Sequence, residues 1–437
     1  MQADGAGFEM AIETAVMASG DPAHLVRAGL LDRFHRLRMR STALTSRLSD
    51  EDMGAQTMED VSPSKWHLAH TSWFWETFLL EPYLPGYEVF DPRFGFLFNS
   101  YYEALGERQP RAARGHITRP GIAHVMAYRA HVDGAMERLL ETCGEADLER
   151  IAALIETGIA HEEQHQELIL TDIKHVLSVN PFAQAYSEVL PPPAQPGPAA
   201  GWIEHAGGLE DFGAEANGFV FDNEGPRHKA WLAPFALSTH CVTNGEYARF
   251  IAEGGYETAS LWLSDGWARV QAEGRKAPHY WRGAPGEWRE FTLHGEQEMD
   301  LSAPVSHLDY FEASAFAEWT GYRLPEEREW ELAARQFNAG SARPMTPDGW
   351  LHPASADQAN LFGGVWQWTR SAYAPYPGYR AQSGALGEYN GKFMCGQFVL
   401  KGGSALTPPG HIRASYRNFF PPQAQWQMTG LRLAKDI

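Results

Sequence analysis

Two patterns of apolar and polar positions divide this chain. Between about residue 22 and residue 180, apolar residues recur every three or four positions, as in HLVRAGLLDRFHRLRMRSTALTSRL (His24–Leu48) and ERIAALIETGIAHEEQHQELILTDIKHVL (Glu149–Leu177). That spacing follows the α-helical turn, so each segment carries an apolar stripe that packing of helix on helix would bury. Past residue 201 glycine, proline and tryptophan become frequent, and apolar runs shorten to strand length, as in PFALST, FVLKGG and GLRLA. One helical passage interrupts them, FEASAFAEWTGYRL followed by PEEREWELAARQF. This half reads as α+β with long irregular loops. Between the halves, PPPAQPGPAAG has five prolines in eleven positions and sustains neither a helix nor a sheet ladder. The expected organisation is an N-terminal extension over 1–21, a helical domain over 22–190, a linker over 191–201 and an α+β domain over 202–437.

The length of 437 residues suits two domains, each with its own core and neither needing a disulfide. The three cysteines, Cys143, Cys241 and Cys395, are widely spaced and form no CxxC pair, which points to reduced thiols. No apolar run approaches the roughly 20 residues of a membrane helix. The first twenty residues lack the basic start and dense apolar core of a secretory leader, so a cytoplasmic location is expected. A net charge of -19 disfavours nucleic acid and anionic membranes, and a small-molecule substrate becomes the expected partner.

Candidate chemistry lies in two histidine-bearing stretches, HLAHTSWFWE (His67–Glu76) and HEEQHQE (His161–Glu167). Ser62 as cap and Pro63 in the first turn predict a helix over Ser64–Leu80 carrying His67 and His70. In the later helix His161 and His165 stand four apart, one turn above the other, so both rings can reach one ion. A third histidine from a facing helix would complete a site with open positions, suited to zinc or iron(II). His70 shares a helical stripe with Trp66 and Trp73, which favours it, while His67 stays open. The order His161, Glu162, His165 also spells the HExxH pattern of zinc hydrolases, with Glu162 as general base.

Further stretches carry a resemblance. RLPEEREWELAAR (Arg323–Arg335), GGVWQWT (Gly363–Thr369), LKGGS (Leu400–Ser404), RASYRN and the terminal GLRLA resemble the formylglycine-generating-enzyme (sulfatase-modifying-factor) fold, a C-type-lectin-like domain. The N-terminal half resembles the DinB-like four-helix bundle. Joined to HLAHTSWFWE, FNSYYEALGERQPRAARG (Phe98–Gly115) and HxxxHxE, they resemble the ergothioneine-pathway sulfoxide synthases. Those enzymes use iron(II) and O2 to couple a thiol to the imidazole of hercynine.

The resemblance implies iron ligands at His70, His161 and His165, which decides for His70 over His67. It implies Gln164 as a holder of the imidazole substrate, Tyr101 and Tyr102 as active-site phenols, and Arg111 and Arg114 as a clamp for the thiol substrate's carboxylate. In YRNFFPP it implies an amide at Asn418 and aromatic faces at Phe419 and Phe420 for the betaine, in a site expected between the domains. The donor would be cysteine or γ-glutamylcysteine.

Three positions depart from the family's usual wording: Gln367 in GGVWQWT, Gly396 in MCGQF and Ala405 in GGSALTP, where glutamate, asparagine and cysteine are common. They are expected to flank the pocket on the donor side. The sister selenoneine synthases, with the same architecture and a selenosugar donor, are therefore the alternative reading. Cys241 and Cys395 lack the context of the formylglycine-generating cysteine pair, so that activity is not expected. Two rival classes remain, a zinc hydrolase using Glu162 and a lectin-like binding module whose histidines are relics.

Overall fold

The structure is a computed structural model that describes residues 22–193, 200–215, 218–355, 357 and 360–437. The extension expected over 1–21 and most of the linker expected over 191–201 lie outside the described residues. The chain forms two compact units. The first takes the described residues up to Ser100 with Gly106–Gln166, and the second takes Tyr101–Leu105 with Glu167–Ile437.

The first unit is built on α1 (Pro22–Thr45), α2 (Ser64–Trp75), α3 (Ile122–Thr142) and the start of α4 (Glu145–Val179). Its core is the predicted stripe: Leu30, Phe34, Leu37 and Leu44 from α1, Val125, Val132, Met136 and Leu139 from α3, and Ile151, Ile155 and Ile159 from α4 are all buried. Every residue of α2 is buried, polar ones included, so its polar side chains need internal partners. Gly158 lets α4 approach α2, since a Cβ there would sit 2.5 Å from the Trp75 ring.

The helix predicted over Ser64–Leu80 departs from expectation at both ends. Pro63 is the cap residue, and the Ser62 hydroxyl instead accepts from Arg114 at 2.9 Å. After Trp75 the chain widens into a π-helical turn over Glu76–Leu80. Buried Glu76 is held there by the hydroxyls of Tyr87 and Tyr128 and by the Phe90 N–H, anchors that a hydrophobic pattern does not register.

Among the described residues, the second unit holds four small sheets. β1 (Trp202–His205), β4 (Phe235–Cys241) and β12 (Arg432–Asp436) pair in the order β1-β4-β12, both pairings antiparallel. A second sheet runs β10 (Asn418–Phe420), β9 (Phe398–Lys401), β8 (Trp366–Ala372), β11 (Thr429–Gly430), with only β8 and β11 parallel. β2 (Gly208–Phe212) pairs with β3 (His228–Leu232), and β5 (Trp281–Arg282), β6 (Arg289–Thr292) and β7 (Gly295–Glu298) form a meander. The expected helical passage forms α7 (Tyr310–Trp319) and α8 (Glu327–Ala334), preceded by α5 (Asn244–Ala252) and α6 (Ser264–Glu273). Phe212, Phe235, Leu237, Trp330, Leu361 and Phe362 centre the core. Cys143, Cys241 and Cys395 are free thiols. No helix of the described residues is long and apolar enough to cross a membrane.

Candidate functional site

Within the first unit, α2 and α4 bring His70, His161 and His165 together, with ligand-capable atoms all within 4.8 Å of one another. The four-residue spacing on α4 puts the rings of His161 and His165 at 4.6 Å, and His70 meets them at 5.0 and 4.6 Å. All three are buried. His70 is oriented from behind, its Nδ1 lying 2.6 Å from the Phe98 carbonyl, while its Nε2 lies 3.1 Å from Nε2 of His161. Trp66 stacks on His70 at 4.6 Å and Phe74 on His161 at 4.2 Å, closing the flanks with apolar faces.

Burial holds the His161 imidazole down to about 3, and burial with the neighbouring His161 holds His70 and His165 well below the usual histidine value. All three stay neutral, the state that binds a metal. Three converging neutral nitrogens in a shell with a backbone anchor fit one divalent ion of the zinc or iron(II) kind.

His67, the alternative third ligand, sits one step back: its Nδ1 lies 2.8 Å from Nδ1 of His165. It braces the His165 ring and lies outside the converging trio. Substituting His67 with Phe is expected to weaken metal binding by roughly 10–100-fold, the usual effect of losing an orienting partner. Metal titration with a competing chelator reads this directly.

The hydrolase expectation for Glu162 is overturned by its surroundings. Glu162 Oε1 accepts from Ser41 at 2.6 Å and Arg129 at 3.2 Å, and Oε2 accepts from Arg38 at 3.0 Å and Trp75 at 2.8 Å. Burial alone would raise its carboxyl, but the charges of Arg38 and Arg129 with the Ser41 and Trp75 hydrogen bonds outweigh it and pull the value down to about 2. Such a saturated carboxylate is a structural keystone joining the four helices, not a general base.

The other predicted residues take these places. In the first unit, Gln164 is half-buried on α4 beside His165, and Arg111 donates to the Asp60 carbonyl. Arg114 is buried and stacks on Trp66 at 3.4 Å, on a ring that also stacks on His70. In the second unit, Tyr101 and Tyr102 lie at 4.7 Å, and burial raises both phenols above their usual value. Asn418 accepts from the Phe419 N–H through its side chain. Phe419 stacks on Tyr373 at 4.0 Å, and Phe420 meets Trp426 edge-on at 6.0 Å.

Sequence reasoning missed Phe393, which faces Tyr101 at 5.1 Å and Phe419 at 5.8 Å and so joins two groups of predicted residues. Its place in a loop of short 3-10 turns left no periodic signal.

The three departures have these surroundings. Gln367 is fully buried; its Oε1 accepts from Trp330 at 2.7 Å and Arg432 at 2.9 Å while its Nε2 donates to the Leu361 carbonyl at 2.7 Å. The amide accepts and donates at once, and an ionised glutamate could not donate to Leu361. Gly396 has φ +65°, a left-handed conformation that glycine and asparagine tolerate best. Ala405 is buried with its N–H on the Gly364 carbonyl at 2.9 Å.

Comparison with known proteins gives matching domain assignments. Residues 33–169 match the DinB superfamily, and residues 187–344 and 338–437 match the sulfatase-modifying factor enzyme 1-like domain. The chain is 31% identical to a hercynine oxygenase of Mycolicibacterium smegmatis, covering 94% of this chain and 100% of that one. It is 32% identical to a hercynine oxygenase of Mycobacterium tuberculosis, covering 91% and 97%. A formylglycine-generating enzyme of Streptomyces coelicolor is 28% identical over 56% of this chain and 93% of its own.

Proposed function

Because the chain belongs to the hercynine oxygenase family, we propose that it is an iron(II)- and O2-dependent oxidoreductase that couples a thiol to the imidazole carbon of hercynine. The observation that carries this reading is the trio of buried, neutral histidines, His70, His161 and His165, in a chain that aligns with a hercynine oxygenase over 94% of its length. In balance, the thiol S–H, the imidazole C–H and O2 become a sulfoxide and water. The iron, when bound, supplies the activation of O2 that no amino-acid side chain provides.

The chain's own residues bind and orient. Gln164 offers an amide to the imidazole substrate. Arg111 and Arg114 are proposed to clamp the thiol substrate's carboxylate, a reading supported by the buried Arg114 guanidinium braced on Trp66. Phe419 and Phe420 present aromatic faces for a trimethylammonium group that cannot donate a hydrogen bond, and Asn418 supplies an amide for the carboxylate. Tyr101 and Tyr102, kept protonated by burial, hold a phenol proton available for the step that forms the C–S bond.

The donor is proposed as cysteine or γ-glutamylcysteine, with a selenosugar as the alternative. The test is O2 uptake with mass spectrometry of products, the iron(II)-loaded protein being given hercynine with each donor in parallel. Hercynine-dependent uptake and one coupled product are expected and name the donor. Uptake that ignores hercynine with every donor overturns the reading.

A further inference from the structure

The Tyr101–Leu105 turn is held by one short segment of the second unit. Glu388 divides its carboxylate over consecutive backbone N–H groups, Oε2 accepting from Glu103 at 3.0 Å and Oε1 from Ala104 at 2.9 Å. Lys392, four residues on, donates to the Tyr101 carbonyl and to Glu388 Oε2 at 2.7 Å. The turn closes on itself through the Leu105 N–H and the Tyr102 carbonyl at 3.1 Å. The peptide groups on both sides of Tyr102 are thus pinned, which sets the direction in which its side chain leaves the backbone.

The same segment supplies rings. Phe393 and Tyr389 meet Tyr101 edge-on at 5.1 and 6.3 Å, and Lys392 lies 5.2 Å over the Tyr101 ring. An exposed ion pair by itself contributes little to stability, so the Glu388–Lys392 pair explains itself better by what it grips. Carboxylate-to-N–H bonds are short and directional, suited to holding geometry. A displacement of about 1 Å in a positioned group costs on the order of 100-fold in rate.

We propose that Glu388 and Lys392 form a latch that positions the Tyr101–Tyr102 pair, so that oxidation of the donor ends in coupling rather than in a sulfinic acid. The latch role in coupling rests on the function proposed above. Both are positioning residues, acting through the tyrosines. Without coupling, the donor thiol and O2 combine to the sulfinic acid and hercynine is left unchanged, a balanced diversion with no further reductant.

Three readouts on the full iron-loaded chain test this. In Glu388→Ala, kcat for coupling is expected to fall at least tenfold with KM for hercynine within twofold, and the sulfinic fraction is expected to rise. Lys392→Met is expected to do the same more weakly, and Lys392→Arg to restore coupling. Added to Tyr102→Phe, Glu388→Ala is expected to cost little more, because both act on one element. A Glu388→Ala enzyme with wild-type kcat and product ratio, or full additivity with Tyr102→Phe, overturns the proposal. Hydrogen exchange at the Glu103 and Ala104 amides reads the latch without turnover: faster exchange in Glu388→Ala is expected, and unchanged exchange refutes it. A wild-type chain that shows no hercynine-dependent uptake sinks the functional reading instead, while exchange still reports on the latch.

Discussion

Replacing His161 with alanine is expected to remove bound metal and hercynine-dependent oxygen uptake together, a loss larger than the roughly 100-fold upper range for an orienting partner. His161 is one corner of a triangle of rings, 5.0 Å from His70 and 4.6 Å from His165, so its loss would leave two histidines from different helices and no chelating pair on α4. Two neutral imidazoles in an apolar shell cannot compensate the desolvation of a divalent ion. Metal content after gel filtration, measured with O2 uptake and with circular dichroism as the check on folding, reads the result. A folded His161→Ala chain that keeps stoichiometric iron would remove the ion from these three residues.

The second large effect is on stability. Glu162→Gln is expected to cost about 3–5 kcal/mol, because buried Arg129 loses its counter-charge and buried Arg38 is left with Asp133 alone. Activity per folded molecule is expected to survive at low temperature, since the carboxylate is committed to Ser41, Trp75 and the arginines. The dependence on pH has a definite sign. The folded value of Glu162, about 2, lies below the unfolded value near 4.3. Its stabilisation is therefore complete above the unfolded value and lost as pH falls toward about 2. Thermal unfolding of the wild type and the variant should differ most above pH 5 and converge as the medium is acidified. A variant that is fully stable but inactive would restore Glu162 to the role of general base.

Much of the fold was legible because its signals are local. The stripe Ile151, Ile155, Ile159 predicts α4 from spacing alone, and the pairing of His161 with His165 follows from the same register. The choice of His70 needed either a resemblance or the fold, since His67 is equally histidine and lies one turn away. Only packing shows His70 in the converging trio with His161 and His165, and His67 against His165 outside it. Glu162 spells the same word in a hydrolase and in a helix keystone; the difference is made by Arg38, more than a hundred residues earlier. Gln367 read as a change at a pocket because sequence records which residue is unusual but not which atoms it satisfies.

By itself, then, the sequence determined the helical half, the strand-rich half, the chelating pair on α4 and the family, because each depends on residues a few positions apart or on motifs kept in order. The tertiary structure brings His70 rather than His67 into the trio with His161 and His165, and it alone decided that Glu162 is committed to four hydrogen bonds and that Glu388 and Lys392 grip the turn bearing Tyr101 and Tyr102. Those outcomes depend on donors and acceptors meeting within about 3 Å between groups far apart in the chain, as His70 and His161 are by 91 residues and Glu103 and Glu388 by 285, and no spacing along the chain encodes such a meeting.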